Sequence, residues 1–117
     1  MESMNWIAVC PLDDIVPESG VCALIAEQQM AIFRLANDEL YALSNYDPFS
    51  GAQVLSRGIV GDKNNVPKVT SPVYKQAFDL RNGQCLDDAS VTLPTFPVRN
   101  NAGRVEVGLP LAASVAT

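Results

Sequence analysis

Residues 45–61 read Asn-Tyr-Asp-Pro-Phe-Ser-Gly-Ala-Gln-Val-Leu-Ser-Arg-Gly-Ile-Val-Gly, and residues 71–80 read Ser-Pro-Val-Tyr-Lys-Gln-Ala-Phe-Asp-Leu. Each segment opens with a proline-containing turn and continues into an apolar-patterned strand. Small β domains usually place a site on such turns, because the strands hold the backbone while the turn side chains stay accessible. The two turns are therefore the first place to look for chemistry, and neither carries an obvious catalytic set.

Short β-prone runs alternate with turn signals along the rest of the chain. We predict strands at 5–10, 21–27, 30–35, 40–44 and 84–86, and a final hairpin over 96–107. Strands spaced about eight to twelve residues apart predict an all-β fold, an antiparallel β-sandwich or barrel with two loop-bearing hairpins at one tip. A helix over 21–35 is the alternative, because Ala, Leu, Met and Gln favour helices.

Several turns can be placed from their residue types. Gln28-Gln29 is the predicted tip of the hairpin between 21–27 and 30–35, and Asn82-Gly83 predicts a type I′ turn. The polar segment 61–67 is predicted as a mobile insertion. We expect a single domain over 1–117 with a core at about 6–107, and a small-residue tail that frays from Gly108.

Composition limits the function classes. An apolar content of 48% in 117 residues is typical of a folded domain with a real core. The net charge of −5 disfavours binding to nucleic acid or to an anionic membrane. No apolar run approaches the ~20 residues that span a bilayer, and the first residues resemble no secretory signal. These features predict a cytoplasmic protein.

The chain contains no histidine and three cysteines, Cys10, Cys22 and Cys85. The absence of histidine excludes Ser–His and Cys–His catalytic pairs within the chain. It also excludes histidine-containing zinc sites. The cysteines form no Cys-x-x-Cys pair, so we predict free thiols that are mainly buried as small apolar side chains.

The two proline-containing segments resemble the cluster-binding loops of Rieske iron–sulfur domains. In that family the first loop is Cys-x-His-x-Gly and the second is Cys-Pro-x-His-Gly, and two cysteines and two histidines hold a [2Fe–2S] cluster. The frame of both loops is present here, at Asn45, Gly51, Leu55, Pro72, Phe78, Asp79, Leu80 and Gly83. The resemblance implies a Rieske-like β domain.

All four ligand positions of that frame are replaced. Asp47 and Ser71 stand at the cysteine positions, Phe49 and Tyr74 stand at the histidine positions, and Lys75 replaces the glycine after the second histidine. One carboxylate and one hydroxyl are too few ligands for a metal ion. We therefore predict no metal-binding, cofactor-binding or catalytic residue in this chain.

The replaced positions suggest a structural role and a docking role. Phe49 and Tyr74 would fill the space of a cluster, since each ring can bury roughly 150–250 Å², and Asp47 would act as a turn residue that accepts backbone N–H groups. The turn residues would gather at one tip, which gives a set of candidate partner-binding residues: Tyr46, Pro48, Phe49, Pro72, Val73, Tyr74 and Lys75. The rings either form a docking surface or point inward and seal the core.

Two other sequence features resemble functional motifs. Asp87-Asp88 could be a carboxylate pair for acid–base chemistry, but adjacent side chains point in different directions and a turn is the better interpretation. The segment 58–61 (Gly-Ile-Val-Gly) has neither the lysine of a phosphate loop nor the triple glycine of a dinucleotide site.

Longer matching segments make the resemblance more specific. Residues 45–52, 55–62 and 71–76, with Phe78-Asp-Leu80 and residues 85–88, are similar to the small subunit of assimilatory NAD(P)H-dependent nitrite reductase. That family is a Rieske-like domain without a cluster. The resemblance implies a large-subunit partner that carries FAD, an iron–sulfur cluster and sirohaem and reduces nitrite to ammonium. It also implies that this chain supports the large subunit without a catalytic centre of its own.

Two alternatives remain open at this point. The chain could be a free-standing cluster-less module that binds another oxidoreductase. It could also be a redox protein that works through its thiols, although the scattered cysteines disfavour that role.

Overall fold

The computed structural model describes residues 4–110, which contain twelve β-strands and two 3₁₀ turns joined by loops. The strands are β1 (Met4–Pro11), β2 (Ser19–Ile25), β3 (Gln28–Arg34), β4 (Leu40–Ser44), β5 (Tyr46–Asp47), β6 (Ala52–Gln53), β7 (Ile59–Lys63), β8 (Val66–Thr70), β9 (Ala77–Asp79), β10 (Thr95–Phe96), β11 (Val98–Asn101) and β12 (Arg104–Pro110). The 3₁₀ turns are Leu12–Asp14 and Leu55–Arg57. The all-β prediction is confirmed, and the alternative helix over 21–35 is wrong because that segment forms β2 and β3.

The strands pair antiparallel in four sheets. We call them the outer sheet (β1-β12-β11), the central sheet (β10-β4-β3-β2), the loop hairpin (β5-β6) and the far sheet (β7-β8-β9). The outer sheet covers one face of the central sheet, and the far sheet lies on the other side with the loops. This layered arrangement agrees with the predicted sandwich.

Strand β3 lies between two hydrophobic cores. Met30 and Ile32 face the core shared with the outer sheet, where Val105 and Val107 also lie. Ala31 and Phe33 face the opposite core. The members of that second core are Ala31, Phe33, Leu43, Leu55, Val69, Phe78, Leu80, Cys85 and Leu93. Because both faces of β3 are covered, its apolar run is continuous where a half-buried strand would alternate.

The turn between β2 and β3 differs from the prediction. Its central residues are Ala26 and Glu27, with φ of 51° and 64°, and Gln28-Gln29 instead begin β3. Positive φ at both positions matches the twist of the two strands. The prediction failed because neither residue is a glycine or an asparagine, the types that usually mark such a turn.

The segment 61–67 is also different from the prediction of a mobile insertion. It belongs to the β7–β8 hairpin, in which Ile59 pairs with Thr70 at one end and Lys63 pairs with Val66 next to the turn. The turn is Asn64–Asn65, with φ of 52° and 68°. Asparagine tolerates this left-handed conformation better than most residues, so the polar pair closes a tight hairpin.

The turn after β9 is not type I′, as the Asn82-Gly83 pair predicted. Only Gly83 has a positive φ, +80°, and its N–H donates to the Asp79 carbonyl oxygen at 2.7 Å. A Cβ on Gly83 would overlap the Leu93 carbonyl oxygen. Glycine is therefore needed here for both its backbone angle and its lack of a side chain.

In the last part of the described chain, one prediction is confirmed and two are wrong. The predicted final hairpin is formed by β11 and β12 around Ala102–Gly103. The predicted strand 84–86 makes only isolated bridges. Strand β12 continues through Gly108 to Pro110, which pairs with Met4, so the prediction of fraying from Gly108 is wrong up to that point. Residues 111–117 lie outside the described residues.

The cysteines occupy three different environments. Cys85 is buried, Cys10 is half-buried and Cys22 is exposed. The prediction of buried thiols therefore holds for Cys85 and is wrong for Cys22. Burial, reinforced by the nearby Asp14 carboxylate, raises the pKa of the Cys10 thiol.

Candidate functional site

The two sequence segments of interest form adjacent loops. The first loop follows β4, contains the loop hairpin and turns at Gly51, which has a φ of +74° and donates its N–H to the Asp47 carbonyl oxygen at 2.7 Å. The second loop, residues 71–76, joins β8 to β9 and is closed by a hydrogen bond from Ser71 N to Gln76 O of 2.8 Å.

Asn45 fixes the base of the first loop. Its side chain is buried, and Nδ2 donates to Gln29 Oε1 at 3.1 Å and to Gln53 O at 3.0 Å. Its Oδ1 accepts the Ser56 N–H at 2.6 Å. A buried amide with partners on both sides holds its position, so the loop starts from a rigid point on the central sheet.

A hydrogen bond between Asp47 and Ser71 joins the two loops. Both side chains are fully buried, and Ser71 Oγ donates to Asp47 Oδ2 at 2.5 Å. Asp47 Oδ1 accepts the Phe49 N–H at 2.9 Å. Burial tends to raise the pKa of Asp47, but the hydrogen bonds from Ser71 and from the Phe49 amide outweigh it and hold the pKa below its usual value. Asp47 is thus a charged residue that connects two loops.

The two aromatic replacements point in different directions. Phe49 is half-buried and packs on the core, with its ring centroid 6.2 Å from that of Phe78. Tyr74 is 61% exposed. Phe49 therefore faces inward, and its filling of the space of a cluster stays a prediction. For Tyr74 the same prediction is wrong, because the second loop turns that side chain to solvent.

The outward side of the loops is apolar with a single positive charge. Besides Tyr74, Tyr46 and Val73 are 40% and 43% exposed, and Pro48 and Lys75 are exposed as well. We call these five residues the loop-tip surface. Of the remaining candidates, Pro72 is half-buried and Phe49 faces the core. Partner binding by any of the seven stays a prediction.

The residues at the ligand positions do not fit a [2Fe–2S] cluster. Asp47 and Ser71 are bonded directly to each other at 2.5 Å, which leaves no space for an iron atom between their oxygens. Phe49 offers no lone pair, and Tyr74 faces solvent. Within residues 4–110 no three His, Cys, Asp or Glu side chains are grouped as metal ligands.

The Asp87-Asp88 pair forms a turn. Asp88 Oδ1 accepts the Ser90 N–H at 3.1 Å and the Ser90 hydroxyl at 2.6 Å. Asp87 Oδ2 accepts the Ala77 N–H at 2.9 Å. The two carboxylates bind different partners, and this agrees with the turn interpretation.

The contact between Asp47 and Ser71 was not predicted, although both residues were identified separately. The two positions are 24 residues apart, and nothing in the local sequence pairs them. The resemblance to the Rieske loops contained the only signal, since cysteines that hold one iron must lie side by side.

Residues 5–108 match the family described as the Rieske-like [2Fe-2S] domain. The chain belongs to this family, with its fold but without its ligand residues. Within the family the chain is 41% identical over 104 residues to the nitrite reductase (NADH) small subunit of Escherichia coli K12, covering 88% of this chain and 96% of the relative. At that identity and coverage the chain belongs to the nitrite reductase small subunits.

Two further comparisons agree with this assignment. The solution structure of the E. coli protein NirD has a TM-score of 0.85 and 39% identity, covering 92% of this chain and 98% of that one. The nitrite reductase [NAD(P)H] large subunit of Klebsiella oxytoca contains a segment that is 43% identical over 108 residues, 92% of this chain but 11% of that protein. No helix within residues 4–110 is long and apolar enough to cross a membrane.

Proposed function

We propose that this chain is the small subunit of an NAD(P)H-dependent nitrite reductase and that its partner is the large subunit. The identity to the E. coli small subunit over 96% of that protein carries the proposal. The Klebsiella large subunit, which contains a segment similar to this chain, supports a close association of the two parts.

In this proposal the chemistry takes place on the partner. The chain has no histidine, and the side chains at its former ligand positions are bonded to each other or turned away. The large subunit would carry FAD, an iron–sulfur cluster and sirohaem and would reduce nitrite to ammonium in the cytoplasm. This chain would bind it and support its redox domains, with no catalytic residue of its own.

We further infer that the loop-tip surface is the docking face. Tyr46, Val73 and Tyr74 expose apolar area on loops that the Asp47–Ser71 bond holds together. Rigid aromatic side chains bind partners at low entropic cost, and exposed aromatic patches often mark interfaces. The inward Phe49 would act only as support for the first loop.

Purification of the tagged chain from its own cells grown on nitrate tests the subunit assignment. We expect the nitrite reductase large subunit, identified by mass spectrometry, to co-elute with flavin and sirohaem absorption bands. NAD(P)H-dependent nitrite reduction should accompany the eluate. A different oxidoreductase in its place would favour the free-standing binding module.

Tyr74→Ala tests the docking face. We expect it to weaken binding to the purified large subunit about ten-fold, the cost of a typical aromatic interface residue. Val16→Ala is the control, because Val16 is 67% exposed and lies away from the two loops. It is close to Ser19, and Ser19 pairs with Arg34, at the end of β3 that is away from Asn45. Equal affinities for both variants would exclude the loop-tip surface as the docking face.

A further inference from the structure

Lys75 adopts a backbone conformation that its side chain disfavours. Its φ is +68°, in the left-handed region where a Cβ crowds the following carbonyl and where glycine is usually found. The residue ends the turn of the second loop, just before Gln76 accepts the closing hydrogen bond from Ser71 N at 2.8 Å. On backbone grounds alone, glycine would be the better residue here.

Other residues of the described chain share the left-handed conformation of Lys75, but several of them differ from it in local context; the full set is Glu18, Ala26, Glu27, Asp38, Asn64, Asn65 and Ala102. Ala26–Glu27 and Asn64–Asn65 are the central pairs of two-residue hairpin turns, where the strand twist requires positive φ at both positions. Lys75 lies in a six-residue loop. A strained residue outside such a turn is a reason to look for a role of its side chain.

The Lys75 side chain makes little contact with its own domain. Its Nζ donates to the Pro72 carbonyl oxygen at 3.4 Å, a long and exposed hydrogen bond. The salt bridges within residues 4–110 are made by Arg34, Arg81 and Arg99. The Lys75 ammonium group is therefore available to an external carboxylate.

Lys75 is also the single exposed charge of the two loops. Residues 45–51 and 71–76 contain one other charged side chain, Asp47, which is fully buried and hydrogen-bonded. The chain as a whole has a net charge of −5. A lone positive group beside Tyr74 and Val73 thus stands out from an acidic protein, and it complements a negative partner.

We propose that the loop-tip surface binds an acidic site on the large subunit, where Lys75 pairs with a carboxylate that is bordered by apolar surface. This inference rests on the proposed subunit function and adds the chemistry of the partner site. The carboxylate would receive the ammonium group, while Tyr74 and Val73 pack around the pair and exclude water from it.

Lys75→Gly separates stability from binding, because the two effects have opposite signs. Removal of the disfavoured left-handed Cβ should raise Tm by about 3 °C, after allowance for the greater flexibility of glycine in the unfolded chain. Loss of the charge should weaken binding to the purified large subunit about five-fold at low salt and reduce the salt dependence of Kd. Lys75→Arg should keep both the affinity and its salt dependence.

Lys63→Gln is the matched control. It removes the same charge at the far end of the β7–β8 hairpin, where Lys63 pairs with Val66, and it should leave Kd unchanged. Kd would be measured by titration calorimetry at 50 and 300 mM NaCl, with Tyr74→Ala alongside. If Lys75→Gly binds with wild-type affinity while Tyr74→Ala binds more weakly, the acidic site is overturned and the docking face is kept. Unchanged affinity in both variants would overturn the docking face itself.

Discussion

Replacing Ser71 by alanine removes the hydroxyl that joins the two loops. In the wild type, Ser71 Oγ donates to a carboxylate oxygen of Asp47 at 2.5 Å, and both side chains have 0% exposure. A hydrogen bond to a charged group is worth about 1.5–3 kcal/mol, and its loss leaves a buried carboxylate oxygen without that donor. We expect Ser71→Ala to lower the free energy of unfolding by about 2–3 kcal/mol at pH 7, or Tm by about 10 °C.

The same variant should change the pH dependence of stability. The folded pKa of Asp47 lies below its unfolded value, so its contribution to stability is present above the unfolded pKa of about 4 and is lost as the pH falls through the folded pKa. Without the Ser71 donor the folded pKa rises, and less stability remains to be lost. The difference between wild type and variant should therefore shrink to about 1 kcal/mol in acid, the value of a neutral hydrogen bond.

Urea unfolding between pH 3 and pH 7 measures both effects. Ser90→Ala is the matched control, because Ser90 Oγ donates to Asp88 Oδ1 at 2.6 Å in an exposed pair where water can replace the lost donor. Ser90→Ala should lower the free energy of unfolding much less than Ser71→Ala does. If Ser71→Ala lowers the free energy of unfolding no more than Ser90→Ala does, the argument that burial strengthens the hydrogen bond between the loops is refuted. A difference that does not change with pH would refute the role of the Asp47 charge.

Two further predictions concern backbone strain at glycines and the burial of cysteines. Gly83→Ala should lower the free energy of unfolding by more than about 3 kcal/mol in urea titrations, because its Cβ would overlap the Leu93 carbonyl oxygen and strain the backbone. Gly103 has a φ of +90° and open space around it, so Gly103→Ala should lower the free energy of unfolding by only about 1 kcal/mol. In the native protein Cys22 should react with a thiol reagent within minutes and Cys85 only upon unfolding, since the first is exposed and the second buried; equal native rates, read by peptide mass spectrometry, would contradict the described burial.

The strand pattern could be predicted because it depends on local residue types. Strand β4 has the predicted bounds, and the final hairpin is at the predicted place, where the asparagines and Gly103 mark the turn. The turn at Ala26–Glu27 could not be found in this way. There the pairing of β2 with β3 imposes positive φ on residues that would not choose it, and tertiary structure overrides local preference.

The candidate site was predictable in position but not in contacts. The two loops were located correctly, and Asp47 accepts a backbone N–H as predicted. Its bond to Ser71 and the opposite directions of Phe49 and Tyr74 depend on how β8 and β9 place the second loop against the first. Such contacts join residues distant in sequence, and no periodicity or turn signal encodes them.

The pairing of Met4 with Pro110 also determines how the domain responds to tension. Within residues 4–110, strand β1 lies at the edge of the outer sheet and pairs with β12 alone, and the two ends of this part of the chain lie side by side. A force that separates these ends acts across the ladder, in the direction of its hydrogen bonds. The bonds would break one pair at a time toward Pro11–Arg104, like a zipper, so the domain would yield at low force from the outer sheet while the loops remained folded.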